Sequence, residues 1–169
     1  MSVLDTLQTA FPDAILDTEE FRGEMTAVID REHALEILTY CRDTEGLEFN
    51  FLSDVTGIDY LPNEPRFAVL YHLYSMTQNH SLRVKVQVPG DDPRTPSGFS
   101  VYPAANWSER EIYDMLGIVF EGHPDMRRIL MPDGWDGYPQ RKDYPLGYET
   151  VQFSFNFDEV DEHKPYAKE

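Results

Sequence analysis

The chain has 169 residues and a formal net charge of -17, from 31 Asp and Glu against 14 Lys and Arg. That length suits one ordinary domain of roughly 100–200 residues, and 41% hydrophobic with 13% aromatic residues is too much apolar mass for a disordered chain. The acidity works against binding nucleic-acid phosphates and anionic lipid headgroups alike.

The single cysteine, Cys41, excludes an internal disulfide framework. It also excludes a self-contained iron–sulfur cluster, which takes about four thiolates. No apolar run approaches the roughly 18–20 residues of a membrane-spanning helix. The first residues lack the basic region and apolar core of a secretory signal, so a cytoplasmic chain is expected.

Ser2 caps a short helix with Leu4, Leu7 and Phe11 on one stripe, stopped by Pro12. Phe21, Gly23, Met25, Ala27 and Ile29 alternate with more polar neighbours and predict one half-buried strand. Asp30 caps a helix over 31–43, with Ala34, Leu35, Leu38 and Cys41 facing inward and Gly46 as the stop. Phe49, Phe51 and Val55 lead the next strand. Residues 66–76 are apolar on both faces, which places that strand inside the sheet. In 81–88, Leu82, Val84, Val86 and Val88 face one way and Arg83, Lys85 and Gln87 the other. The polar link Thr77–His80 joins these two strands as an antiparallel hairpin. Residues 89–99 read as a Pro/Gly-rich loop. The element order is that of an α+β fold: a mixed or antiparallel sheet with helices packed on it.

Ser108 and Glu111 have the spacing of a capping box, and Trp107 and Ile112 that of a hydrophobic staple. With Gly117 as terminator, a helix over about 109–116 is expected. Periodicity then disappears. Residues 120–148 are punctuated by Gly and Pro yet carry Ile129, Leu130, Met131, Trp135, Tyr138 and Tyr144. A loop longer than about 12–15 residues is uncommon in a compact domain unless it is functional or disordered, and this composition is wrong for disorder. The tail alternates Val151, Phe153, Phe155 and Phe157 with polar residues, a stripe that would aggregate if left open. The expectation is a globular part, 1–118, and an extended interaction segment, 119–169, that wraps a partner protein.

Chemistry-bearing residues are sparse. There is no Gly-rich phosphate loop. His33 and Glu36 are three apart on a helix, but without a second pair they read as a solvated face. His123 and Asp125 are the sharpest acid/base candidates, a base oriented by a carboxylate, against the plainer reading of a Pro124-fixed turn. His72 reads as an interior or interface histidine, His80 as solvated, and Tyr71 and Tyr74 as core aromatics. Arg127-Arg128 and Arg141-Lys142, followed by Asp143, could pair with partner carboxylates or be solvated turn charges.

The stretch SEREIYDMLGIVFEGHPDMRRILMP, followed by GYPQRKDYPLG, resembles the C-subunit family of NADH-quinone oxidoreductase, the thirty-kilodalton-type hydrophilic subunit of respiratory complex I. The match is carried by Glu109, Arg110, Glu111, Tyr113, Asp114, Gly117, His123, Pro124, Arg127, Arg128 and Leu130, then Arg141, Lys142, Asp143 and Tyr144. The resemblance implies a scaffold subunit in the peripheral arm of a proton-translocating respiratory-chain enzyme. That machine uses NADH, FMN, iron–sulfur clusters and quinone, none bound by this chain. It implies the quinone-site D subunit as chief partner, with the B and I subunits nearby, on the cytoplasmic side of the cell membrane. The matched residues, with Phe153, Phe155 and Phe157, carry over as interface positions and none as catalytic or metal-binding. Two rivals remain: the equivalent subunit of a membrane-bound hydrogenase-type complex, and a stand-alone hydrolase using His123 and Asp125. The acidity is concentrated early, since residues 1–64 hold 15 acidic and 3 basic side chains.

Overall fold

The computed structural model describes residues 2–145 together with Phe155 and Asp158. Helix α1, Val3–Ala10, starts at Ser2. The Ser2 hydroxyl accepts from the Asp5 N–H while the Asp5 carboxylate accepts from the Ser2 N–H. This reciprocal cap satisfies two otherwise orphaned donors. Leu4 and Leu7 face the core.

The single strand expected at 21–29 is in fact the second arm of a hairpin. Strand β1 is Ile15–Phe21 and β2 is Glu24–Asp30, paired antiparallel. Arg22 and Gly23, at φ 53° and 82°, form the turn between them. Two successive positive φ values match the right-handed twist of the flanking strands, which makes this a hairpin turn rather than strand interior.

Asp30 caps as expected, but the first turn is a 3₁₀ turn at Arg31–His33, followed by α2, Ala34–Asp43. Ile37 joins Ala34, Leu38 and Cys41 on the buried stripe. Strands β3 (Phe51–Asp59), β4 (Phe67–Ser75) and β5 (His80–Val88) follow. Ser75 opposite His80 closes the hairpin between the last two. The five strands lie in the order β1-β2-β5-β4-β3, with β2 parallel to β5 and every other pair antiparallel.

Strand register gathers the apolar side chains on one face. Ala27 and Ile29, the alternate valines of β5, and Phe67, Val69, Tyr71 and Leu73 of β4 form one core with the inward stripes of α1 and α2. Burying each such side chain stabilises by roughly 1.5–3 kcal/mol. All three helices pack on this face, while Arg83, Lys85 and Gln87 project half-exposed from the other.

The stretch 89–99 is not wholly loop. It holds strand β6, Arg94–Pro96, and a 3₁₀ turn begins at Gly98. Strand β6 pairs in parallel with β7, Val119–Glu121, in a separate two-stranded sheet.

Helix α3 runs over Ala105–Leu116, four residues longer at its start than expected. Ala104 is the N-cap and offers no side-chain cap, so Ser108 lies within the helix and forms no capping box. Trp107 points outward at 63% exposure, which rules out the staple. Gly117 does terminate the helix, at φ 75°. Helix α3 lies against β3 at Gly57, where an added Cβ would fall 2.6 Å from Leu116 Cδ1. No helix among the described residues is long and apolar enough to cross a membrane.

Candidate docking site around helix α3

Helix α3 carries two carboxylates with no solvent exposure, Glu109 and Asp114. Buried charges persist only where hydrogen bonds and ion pairs replace water, so each marks a built local structure. Asp114 Oδ1 accepts from Arg128 Nη1 at 2.7 Å. Asp114 Oδ2 accepts from the N–H groups of Ile129 (3.0 Å), Leu130 (2.7 Å) and Met131 (2.8 Å). Burial alone would raise this carboxyl. The Met131 N–H, the Arg128 guanidinium and the N–H groups of Leu130 and Ile129 outweigh burial and hold it below the usual range.

Arg128 reaches further, donating from Nη2 to the carbonyls of Trp135 and Gly137, both at 3.1 Å. Arg110, one turn earlier on α3, donates to the carbonyls of Arg127 (3.1 Å) and Arg128 (3.2 Å) and lies over the Trp107 ring. The backbone from 127 to 131 is therefore clamped from two points of one helix. Met131 packs on the core, while Ile129 and Leu130 are turned outward at 38% and 60% exposure.

A second clamp holds residues 138–144. Gln140 N–H donates to the Met115 carbonyl at 3.0 Å and Arg141 Nε to the Leu116 carbonyl at 2.6 Å. The Arg141 guanidinium lies between the rings of Phe67 and Tyr138. Asp59 accepts from both Arg66 Nε (3.0 Å) and Nη2 (2.9 Å), and from the Lys142 N–H at 2.9 Å. Asp143 takes the remaining side of the Arg66 fork at 2.7 and 2.9 Å. Burial works to raise the Asp59 carboxyl, but Arg66 and the N–H groups of Lys142 and Leu61 bring it down to about 2. The structure thus pairs Arg128, Arg141 and Asp143 within the chain, where the sequence had left open pairing with a partner. Arg127 pairs with Asp125 at the surface.

Residues 27–150 match the family described as the respiratory-chain NADH dehydrogenase 30 Kd subunit. The NADH-quinone oxidoreductase C subunit of Roseiflexus sp. is 48% identical over 99% of this chain and 97% of its own length. That of Herpetosiphon aurantiacus is 43% identical over 94% and 92%. The chain belongs to the C-subunit family of NADH-quinone oxidoreductase. Among solved structures, it is similar to a trypsin-resistant fragment of Nqo5, with 37% identity, a TM-score of 0.62, and coverage of 73% of this chain and 96% of that one. It is also similar to a chain of an archaeal membrane-bound sulfane sulfur reductase, with 25% identity, a TM-score of 0.69, and coverage of 85% and 84%.

In the structure the side chains of His123 and Asp125 do not pair as a base oriented by a carboxylate. His123 Nδ1 accepts from the Asp125 N–H at 3.0 Å, and Nε2 lies 3.1 Å from the Asn106 carbonyl, so both ring nitrogens are spent on backbone. The Asp125 carboxylate goes to Arg127 instead. Pro124 is exposed beside them, and the group is a turn.

Glu109 is the buried carboxylate whose role the spacing did not disclose. Oε1 accepts from Tyr71 Oη (3.0 Å) and the Gly98 N–H (2.7 Å), while Oε2 meets Ser97 Oγ at 2.5 Å. Burial raises its pKa despite these donors and the nearby His123. Glu109 ties α3 to β4 and to the turn after β6.

His80, expected in solvent, stacks on Phe49 with ring centroids 4.7 Å apart, and its Nε2 lies 3.3 Å from the Leu47 carbonyl. His72 is half-buried and shares a hydrogen bond with Thr56 Oγ1. Burial, then the Arg83 charge, lowers its pKa. His33 and Glu36 have no third His, Cys, Asp or Glu near enough for a metal site among the described residues. Glu111 is exposed, Tyr113 packs edge-on to Tyr138, and Tyr144 lies against Gly137. Phe155 sits in a turn at 84% exposure, rather than in a strand. Phe153 and Phe157 lie outside the described residues.

Proposed function

We infer that this family member is a non-catalytic scaffold in the peripheral arm of NADH:quinone oxidoreductase, docked through the segment that α3 holds out. One observation carries the reading. A fully buried carboxylate is committed to fixing the backbone of 129–131, and the result is an Ile129–Leu130 pair exposed to solvent. An apolar pair held out to solvent by buried hydrogen bonds, next to Arg127 and Arg128 in the chain, fits an interaction surface. Preorganisation lowers the ordering cost of association.

The chief partner on this reading is the quinone-site D subunit, with the B and I subunits nearby, on the cytoplasmic face of the membrane. Residues 1–118 form the body and 119–169 the docking part, including Phe153, Phe155 and Phe157. Within that part, residues up to 145 are hydrogen-bonded back to the body through Asp59, Arg66 and Asp114. NADH, FMN, iron–sulfur clusters and quinone belong to other subunits. Here Cys41 is fully buried and its thiol is pushed up to about 12 by burial, so it is a poor cluster ligand. A place in a different membrane-bound electron-transfer machine has the more distant likeness behind it, at 25% identity.

The test is Leu130→Asp in the full chain, expressed with the other subunits. The expected result is a folded chain that no longer co-purifies with the complex. Stoichiometric retention of the variant would overturn the reading.

A further inference from the structure

Phe21, Phe51 and Met76 are 60%, 46% and 62% exposed, and strand register brings them to one end of the five-stranded sheet. Phe21 lies opposite Glu24, and Met25 opposite Leu82, which sets Glu24 level with Ser81. Ser81 lies opposite Tyr74, and Tyr74 opposite Phe51. Cross-strand partners share a face. Arg83, which projects from the side that no helix covers, donates to Glu24 at 2.7 Å, so the whole row is on that side. At about 4.8 Å per strand the row runs roughly 19 Å from Phe21 to Phe51. Met76 extends it, since its N–H donates to Asn50 Oδ1 at 3.3 Å, beside Phe51. The two phenylalanines alone leave roughly 200 Å² of ring in solvent. With Met76 the ridge reaches the few hundred Å² at which an exposed apolar patch is often functional.

The ridge is held in place. The Glu48 carboxylate accepts from Thr77 Oγ1 (2.8 Å) and Gln78 Nε2 (2.9 Å), and Tyr74 Oη donates to Asn79 Oδ1 in the same turn. Glu48 does this at φ 45°, in the left-handed region that non-glycine residues rarely take. Its border is acidic. Glu19 and Asp54 sit in the next row of the sheet, opposite Thr26 and His72. Asp54 and Glu48 accept only from uncharged groups, and neither they nor Glu19 form an ion pair among the described residues. An apolar ridge with unanswered carboxylates along it complements an apolar surface edged with cations. A second copy of this chain, at a net charge of -17, would set carboxylates against carboxylates.

We propose that this ridge docks on another subunit of the complex, one that presents an apolar surface bordered by lysine and arginine. The proposal rests on the chain being a docked subunit, and it locates a contact on the side of the sheet away from α3.

The test starts with the native full chain, alone and in the assembled complex, treated with hydrogen peroxide. Mass spectrometry follows Met76 oxidation, which is expected to be about fivefold or more slower in the complex. Variants then compete with equimolar native chain for assembly, after circular dichroism has shown that they fold. Phe21→Ser with Phe51→Ser should enter about tenfold less often than the native chain. Leu16→Ser, an exposed apolar position at the other end of β1, should enter equally well. Glu19→Gln with Asp54→Asn should enter at least about twofold less often in dilute buffer and equally well in about 1 M NaCl. Unchanged Met76 oxidation in the complex, native-like entry of the phenylalanine variant, or an isolated chain that dimerises with Met76 already protected overturns the proposal. If Leu130→Asp is retained while Met76 is protected, the α3 patch fails and the ridge stands; the reverse pattern fails the ridge alone. A native chain that joins no complex takes both readings down.

Discussion

Replacing Asp114 by Asn keeps the shape of the side chain and removes the charge on which the 127–131 backbone is built. The native carboxylate accepts four hydrogen bonds, three from consecutive N–H groups on Oδ2 and one from Arg128 on Oδ1. An amide has one acceptor oxygen. If that oxygen faces residues 129–131, the NH₂ group meets the Arg128 donors; turned round, it meets three N–H groups. Breaking a buried, hydrogen-bonded pair from one side costs about 3–5 kcal/mol. For a domain of this size each kcal/mol shifts the midpoint by roughly 2–4 °C, so Tm should fall by roughly 6–20 °C. The pH dependence has a definite sign. The folded pKa of Asp114 is depressed, so its contribution is present above the ordinary Asp value of about 3.9 and is lost as pH falls through the folded value. The gap between native and variant should therefore close below about pH 4. Thermal unfolding followed by circular dichroism gives the midpoint, and hydrogen exchange at Ile129, Leu130 and Met131 reports the clamp itself. A fall of less than about 2 °C with unchanged exchange at those three amides would refute the reasoning.

Glu109→Gln should behave differently. The folded pKa of Glu109 is raised, so its contribution is present below the ordinary value of about 4.3 and is lost as pH rises through the folded value. The amide can accept from Tyr71 and Gly98 and donate to Ser97, so the variant should match or exceed native stability at neutral pH, with a flatter pH profile in denaturant titrations. Gly117→Ala places a side chain at φ 75°, with its Cβ in the Tyr138 ring. Left-handed strain alone costs about 1–2 kcal/mol, and Tm should fall by at least roughly 2–8 °C in a thermal scan.

An apolar run made β4 readable and period-two alternation β5, each to within one residue at its ends, because a buried face leaves no freedom of register. Strand β1 was hidden for the opposite reason. Its sequence, ILDTEEF, lies at a sheet edge with exposed acidic residues, and it is a strand because β2 pairs with it rather than because of its own pattern. The start of α3 was misplaced because Ala104 gives no capping signal, while Ser108 and Glu111 imitate one inside the helix. The motif around α3 was legible as a motif. Its physics was not, since Asp114 meets partners 14 to 17 positions away and Asp59 meets Lys142 83 positions away. Such pairings are decided by how elements pack, and local spacing carries no record of them. The same limit explains Arg128, Arg141 and Asp143, whose charges are answered within the chain.

The parallel pairing of β2 with β5 has a consequence for how the chain is made. Met25 pairs with Leu82, nearly sixty residues later, whereas the β4–β5 turn closes within a few residues. At about 5–20 residues per second, the ribosome delivers β2 several seconds before its partner exists. During that interval the β1–β2 hairpin presents the inner rim of β2, with Ala27, Val28 and Ile29, to anything nearby. The early acidity of the chain fits this hazard: emerging copies on neighbouring ribosomes repel one another until β5 arrives and closes the gap.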